Sequence, residues 1–282
     1  MHYSSPYFIL VSLALMVGIS GCDLFKQTSK NGEKDTDENS LIAANHPCID
    51  GLSANLYPCS NVSLYAHLSP AELGGEQVND IWGWVDPETS KEYALVGLTD
   101  GVSFVDVTNP NKPELVGVLA ESEWPLKSSI LATEDFPACN LGLGTSITAK
   151  AVNKGTAWRD MKVYDHHMFV VSDGQLHGMQ VFDLSRLRAY KGIPLSFQED
   201  TLYTEFGNAH NIAINEETGF GYAIGVTSAE RCGSRQATGL HMIDLRNPKN
   251  PEFAGCYVDP ETEFSSSVNV GTGYIHDTHC VN

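Results

Sequence analysis

Polar residues recur at one register along this chain, and their types could hold a metal or an anion. Four short segments carry such a pair: Asn79-Asp80, Arg159-Asp160, His210-Asn211 and His276-Asp277. His276-Asp277-Thr278-His279 adds a second imidazole to the last of them. Imidazole nitrogen with carboxylate oxygen suits Zn, Mn or Fe, and an imidazole titrating near neutrality could also move protons. Arg159 would suit a small anion. The candidate ligand set is therefore Asp80, Arg159, Asp160, His210, Asn211, His276, Asp277 and His279, with a divalent metal as candidate cofactor. A structural reading competes with it, because Asp and Asn at strand starts also cap backbone groups or bond a neighbouring repeat.

The elements that must position these pairs repeat. After Asn79-Asp80-Ile81-Trp82 come Tyr93-Ala94-Leu95-Val96 and then Gly101-Val102-Ser103-Phe104-Val105-Asp106-Val107. After Arg159-Asp160-Met161 come Met168-Phe169-Val170-Val171 and then Gly178-Met179-Gln180-Val181-Phe182-Asp183-Leu184. After His210-Asn211-Ile212 come Tyr222-Ala223-Ile224 and then Gly239-Leu240-His241-Met242-Ile243-Asp244-Leu245. Each piece is short, rich in Val, Ile, Tyr and Phe, and bounded by Gly, Asp, Asn or Pro, which are strand and turn signals. Asp86-Pro87-Glu88-Thr89 and residues 215–219 read as hairpin turns, with no specific support for a calcium role. Asp106, Asp183 and Asp244 recur at the end of the third strand, and each is expected to hold a turn. Two of the three repeats continue with the same tail, N-P-x-x-P-E-x-x-G, at residues 109–117 and 247–255. Its prolines end one strand, turn the chain and start a fourth.

Four short antiparallel strands in a repeated unit predict propeller blades. The fold class expected is all-β: a β-propeller of four-stranded antiparallel blades forming a partial ring, preceded by a signal peptide and a flexible tether. Unequal spacing between units is assigned to insertions at residues 121–157 and 226–238. In a propeller the first strand lines the axial channel, so the polar pairs would converge near one mouth. Elsewhere, His166-His167 is expected to be a solvated turn, and His177 and His241 surface or rim residues. Trp82, Trp84, Trp124 and Trp158 suit core packing or a ligand-stacking face. Asn61-Val62-Ser63 matches a glycosylation sequon by pattern alone.

The third-strand pattern with its Asn-Pro continuation resembles the LVIVD repeat. Together with WRDMKVYDHHMFVVSD, GLHMIDLRNPKNPEFAGCY and YIHDTHC, it is similar to the choice-of-anchor B family of surface propellers over roughly residues 48–282. The resemblance implies an extracytoplasmic propeller held at the envelope by an anchor, and it brings no activity with it. Members continue past the H-D-x-x-C segment, where this chain stops, so the expectation is a C-terminally incomplete ring of three units and part of a fourth.

The ends and composition set the compartment. Residues 7–20 form an apolar run of about 14 residues, short of the ~20 a membrane-crossing helix needs and suited to a signal peptide. Ile19-Ser20-Gly21-Cys22 resembles a bacterial lipobox, which implies cleavage before Cys22 and lipid on its sulfur. Residues 22–45 are polar and cannot bury enough apolar surface to offset ordering entropy, so they read as a tether. The organisation expected is signal peptide 1–21, lipidated Cys and linker 22–45, propeller 46–282.

Six further cysteines point to disulfides and an oxidising compartment. The pairs expected are Cys48 with Cys59 and Cys232 with Cys256, leaving Cys139 and Cys280 to each other or Cys280 to a later partner. A metal site built from these cysteines is the rival, without a Cys-x-x-Cys to favour it. The net charge of −18 repels phosphate backbones and argues against nucleic acid. G-x-S-x-G, H-E-x-x-H, P-loop and dinucleotide-fold signatures are missing from the sequence. The functional expectation is a lipid-anchored envelope module on the membrane that binds a protein, glycan or small-molecule ligand, or acts as a scaffold. The alternative is a metal-dependent enzyme using the channel-mouth His and Asp residues.

Overall fold

The structure, a computed structural model, describes residues 45–123, 156–227, 229–232, 239–257 and 275–280. The leader, Cys22, nearly all of the tether, Trp124 and Cys139 lie outside the described residues. Among the described residues, no helix is long and apolar enough to cross a membrane.

The fold is mostly β and is organised in four sheets. The smallest pairs β1 (Leu52–Ser53) with β2 (Tyr57–Pro58), and the disulfide between Cys48 and Cys59 braces it. The first large sheet contains β3 (Val78–Val85), β4 (Glu92–Leu98), β5 (Gly101–Asp106) and β6 (Glu114–Ala120) as an antiparallel meander. The second contains β7 (Arg159–Tyr164), β8 (His167–Ser172) and β9 (Met179–Asp183). Next along the chain come β10 (Leu195–Phe197) and β11 (Thr201–Tyr203). Only β11 completes the second sheet, antiparallel on β9, while β10 crosses back and pairs in parallel with β6 of the first. The third sheet is a meander of β12 (Asn211–Asn215), β13 (Phe220–Ile224), β14 (Leu240–Asp244) and β15 (Glu252–Tyr257).

The repeated motifs have repeated structural consequences. Asp106, Asp183 and Asp244 each accept a hydrogen bond from the backbone N–H two residues on, at Thr108, Ser185 and Arg246 (3.0–3.1 Å). This is the local turn that a short acidic side chain offers where a strand must stop. The shared tail starts β6 at Glu114 and β15 at Glu252, opposite Asp106 and Asp244 respectively. Both pairings slip by one residue at the same place: Leu115 faces Val105 and Gly117 faces Phe104, just as Phe253 faces Ile243 and Gly255 faces Met242. Val116 and Ala254 are thus the extra residues of equivalent bulges, which sharpen local twist. Gly117 has a further duty. A Cβ there would meet the Leu195 carbonyl and come within 2.6 Å of the Phe197 ring, so only glycine admits β10 alongside.

The three large sheets stack face to face in chain order. Strand β8 shows this by alternation: Met168 and Val170 enter one core cluster, Phe169 and Val171 the next. All six β8 residues are buried, as expected for a strand covered on both faces. The first cluster joins sheets one and two around Phe104, Phe182 and Phe197, with ring centroids 4.8–5.7 Å apart. The second joins sheets two and three around Val181, Phe206, Ile212 and Ile243. The other face of sheet one is covered in part by Leu68 and Leu73 from the preceding segment. The first strands adjoin one another, with β7 between β3 and β12 and packed on both. Trp84 is buried against Tyr93, whereas Trp82 and Trp158 are exposed.

Candidate functional site

The polar pairs sit on the adjoining first strands, and most of them tie one sheet to the next. The irregular pairing between Val78 and Ile81 turns the Asn79 side chain across to β7, where its amide donates to the Arg159 carbonyl at 2.7 Å. Gly97 leaves the room, since a Cβ there would fall 2.6 Å from Asn79 Oδ1. Asp160 repeats the gesture toward sheet three, accepting from the Ile212 backbone N–H at 2.8 Å. Asn211 repeats it again, donating to the Asp277 carboxylate. His210 donates from Nδ1 to Asp173 at 3.0 Å, and its ring lies 4.5 Å from that of His276. His276 in turn donates from Nδ1 to Asp277 at 3.0 Å.

Arg159 departs from the expectation of a mouth residue. Its side chain is fully buried between sheets one and two, so it cannot greet an anion. The guanidinium donates to the carbonyls of Leu98 and Thr99 and to His177 Nε2 at 2.7 Å, with Glu121 3.8 Å away. His177, expected at the surface, is buried too. Its Nδ1–H donates to the Gly178 carbonyl, which leaves Nε2 as the acceptor that Arg159 needs. Burial, then the neighbouring guanidinium, pushes the His177 pKa down to about 3, so the ring is neutral. His241 is likewise buried, not at the rim: burial and Arg231 lower its pKa to about 4. His167 is also buried, donating from Nδ1 to the Asp165 carbonyl, while its neighbour His166 is exposed as expected. For His177 and His241 a side chain on another strand, Arg159 or Tyr203, meets Nε2, whereas Nε2 of His167 is buried without a hydrogen bond, 3.9 Å from Asp183.

Four of the expected residues do meet at a cleft. A cavity of about 440 Å³ opens beside β7 and β12, lined by Asp160, Asn211, Asp277 and His279 together with Trp82 and Lys162. Lys162 lies two residues after Asp160 on β7, hence on the same face, and its ammonium donates to the Asp160 carboxylate. The same ammonium stands 4.5 Å from the centre of the Trp82 ring. Burial raises the Asp160 pKa; Lys162 and the Ile212 N–H oppose it, and Asp80 beside it adds to it. Asp80 itself is half-buried and does not line the cavity, and its Oδ2 is buried without a hydrogen-bond partner. Glu216 and the half-buried Cys280 also line the cavity, the thiol kept protonated because burial raises its pKa. Cys280 has no disulfide partner among the described residues.

Among the described residues, no three His, Cys, Asp or Glu donors lining this cleft gather within 4.8 Å of one another. Among the described residues, the only three His, Cys, Asp or Glu donors gathered within 4.8 Å are those of Cys232, His241 and Cys256. Cys232 and Cys256 form a disulfide there, pinning the segment before β14 to β15. Sequence reasoning missed Lys162, Glu216 and His241 as site residues. The period-two alternation of β7 could have found Lys162; the other two depend on contacts across the fold. Comparison with family models, with curated proteins and with solved structures finds no match for this chain.

Proposed function

We propose that the three stacked sheets are successive blades of a β-propeller, anchored by lipid at Cys22 on the extracytoplasmic face of a membrane, and that the cleft beside β7 and β12 binds a small polar ligand. One observation carries the reading: three copies of one strand motif lie at equivalent places in neighbouring sheets, with their first strands side by side and the cleft at their junction. Equivalent bulges in sheets one and three support a common blade plan. The rim bears Asp160, Glu216 and Asp277 against Lys162, a balance that suits a neutral or cationic guest able to donate hydrogen bonds. The two disulfides fit an oxidising compartment.

Two experiments test this. Metabolic labelling with palmitate should mark the wild type and not Cys22→Ser; equal labelling would remove the anchor. Calorimetry of the detergent-solubilised full chain with glucosamine, N-acetylglucosamine and spermidine should detect binding by one of them, weakened at least tenfold in Asp160→Asn/Asp277→Asn. Absence of heat from all three, or heat unaltered by the double variant, would overturn the cleft as the binding site.

A further inference from the structure

The disulfide between Cys232 and Cys256 touches a buried imidazole, and the three residues together have the makings of a second site. His241 Nδ1 lies 3.5 Å from Cys232 Sγ. In a tetrahedral zinc site, Zn–S of about 2.3 Å and Zn–N of about 2.0–2.1 Å set the sulfur and nitrogen roughly 3.6 Å apart. The imidazole is thus already placed for a cation that would sit between it and the sulfurs.

We propose that, in its dithiol state, this cluster is a Cys₂His site for a thiophilic divalent cation of the zinc class. The donor set fits that chemistry, two soft thiolates and one imidazole. The chemical balance is simple. A dithiol reductant exchanges with the disulfide, becomes a disulfide itself and leaves two cysteine thiols. The cation then binds both sulfurs, and two protons leave to solvent. The Cα atoms of the pair are 5.7 Å apart, and side-chain rotation across that span can part the sulfurs to the roughly 3.8 Å a tetrahedron needs.

The surroundings fit a metal ligand better than an inert core histidine. Phe206, Tyr203 and Phe253 surround the ring with centroids 5.1–5.8 Å away, an apolar shell that limits solvent access to it. The outer nitrogen, Nε2, is 2.8 Å from the Tyr203 hydroxyl. A hydroxyl both donates and accepts. It can donate to Nε2 while Nδ1–H faces the disulfide, and accept from Nε2–H once Nδ1 must offer its lone pair to a cation. Tyr203 is therefore the residue that orients the ligand in either state. Both cysteines are half-buried, so reductant and cation have a route in. None of its residues lines the cleft beside β7 and β12, so the test below does not depend on what that cleft binds.

The test uses the full chain in detergent and Co(II) as probe, titrated without air before and after reduction by dithiothreitol and its removal. The oxidised protein should take up no Co(II) at this site. The reduced protein should bind one equivalent that Cys232→Ser does not, with thiolate-to-cobalt charge-transfer bands. His241→Ala should abolish those bands, and Tyr203→Phe should weaken binding about 10- to 100-fold with the bands preserved. Near-ultraviolet circular dichroism reports whether the reduced chain stays folded. Binding that survives in Cys232→Ser or is indifferent to His241→Ala overturns the proposal. So does a folded reduced chain that binds nothing, or a chain that loses its fold on reduction.

Discussion

The two interfaces of the stack follow one strand plan and use different cement. Between sheets one and two, a triangle of phenylalanines is flanked by buried charge: Arg159 on carbonyls and His177, and Arg188 bidentate on the fully buried carboxylate of Asp86. A strand is exchanged as well, since β10 belongs in sequence to the second unit and in space to the first. Between sheets two and three the cluster is built more from small aliphatic residues, among them Ala209, Ala223, Ala229 and Val226, and a disulfide binds its outer end. Equivalent register positions have diverged accordingly. At the start of β7 and of β12, Arg159 is swallowed by the first interface, while His210 remains partly exposed and paired with Asp173. A repeat therefore sets where a side chain begins, and the neighbour decides whether it faces solvent, a ligand or the core.

The contrast can be broken by deleting one element from each side. Phe182→Ala removes the ring shared by the triangle and should cost about 3–5 kcal/mol in urea unfolding. A loss below 1 kcal/mol would show that the triangle is not the main link between sheets one and two. On the other side, Cys232→Ser/Cys256→Ser opens a loop with a sequence separation of 24 and should cost about 3 kcal/mol. Little change under oxidising conditions would mean that the small aliphatic residues hold the third sheet without help.

Acid should attack both interfaces, because each buries a neutral histidine. The pKa of His177 falls to about 3 and that of His241 to about 4 on folding, from an ordinary 6.5. The unfolded chain then takes up protons first as pH drops below 6.5. The stability these rings allow is complete above that pH and should decline toward pH 4 by up to about 1.4 kcal/mol per pH unit for each ring. His177→Gln, measured by unfolding across this window, should flatten the slope by about one proton; an unchanged slope would place the acid sensitivity elsewhere. The smallest expected effect is that of Asp106→Asn. It keeps the turn at Thr108 and loses only the ion pair with the partly exposed Lys91, so a change under about 1 kcal/mol is expected. A larger loss would show that the charge, more than the turn, is what the repeated aspartate supplies.

What the sequence made legible was local. The N-P-x-x-P-E-x-x-G tail, the aspartate turns and the hairpin at Asp86 act within a few residues, and the structure forms them where the motifs stand. Both expected cysteine pairs are bonded. The illegible parts are nonlocal. Leu195-Ser196-Phe197 bears no motif, and its strand exists because Gly117 leaves space on another unit. His177 follows a loop and precedes a glycine, a context that suggests water; its burial depends on Arg159, whose own burial depends on carbonyls at the end of β4. The cleft was half legible: register grouped Asp160, Asn211 and Asp277, but which of their neighbours were spent on stitching required the stacked sheets.

The parallel strand β10 has a consequence for synthesis. A sheet whose rim is finished by its successor cannot be completed in order of emergence. Until Phe197 has left the ribosome, the β6 margin lacks its parallel partner. The chain's first hazard during biogenesis is therefore mispairing at that margin, and three residues from the following unit are what shut it.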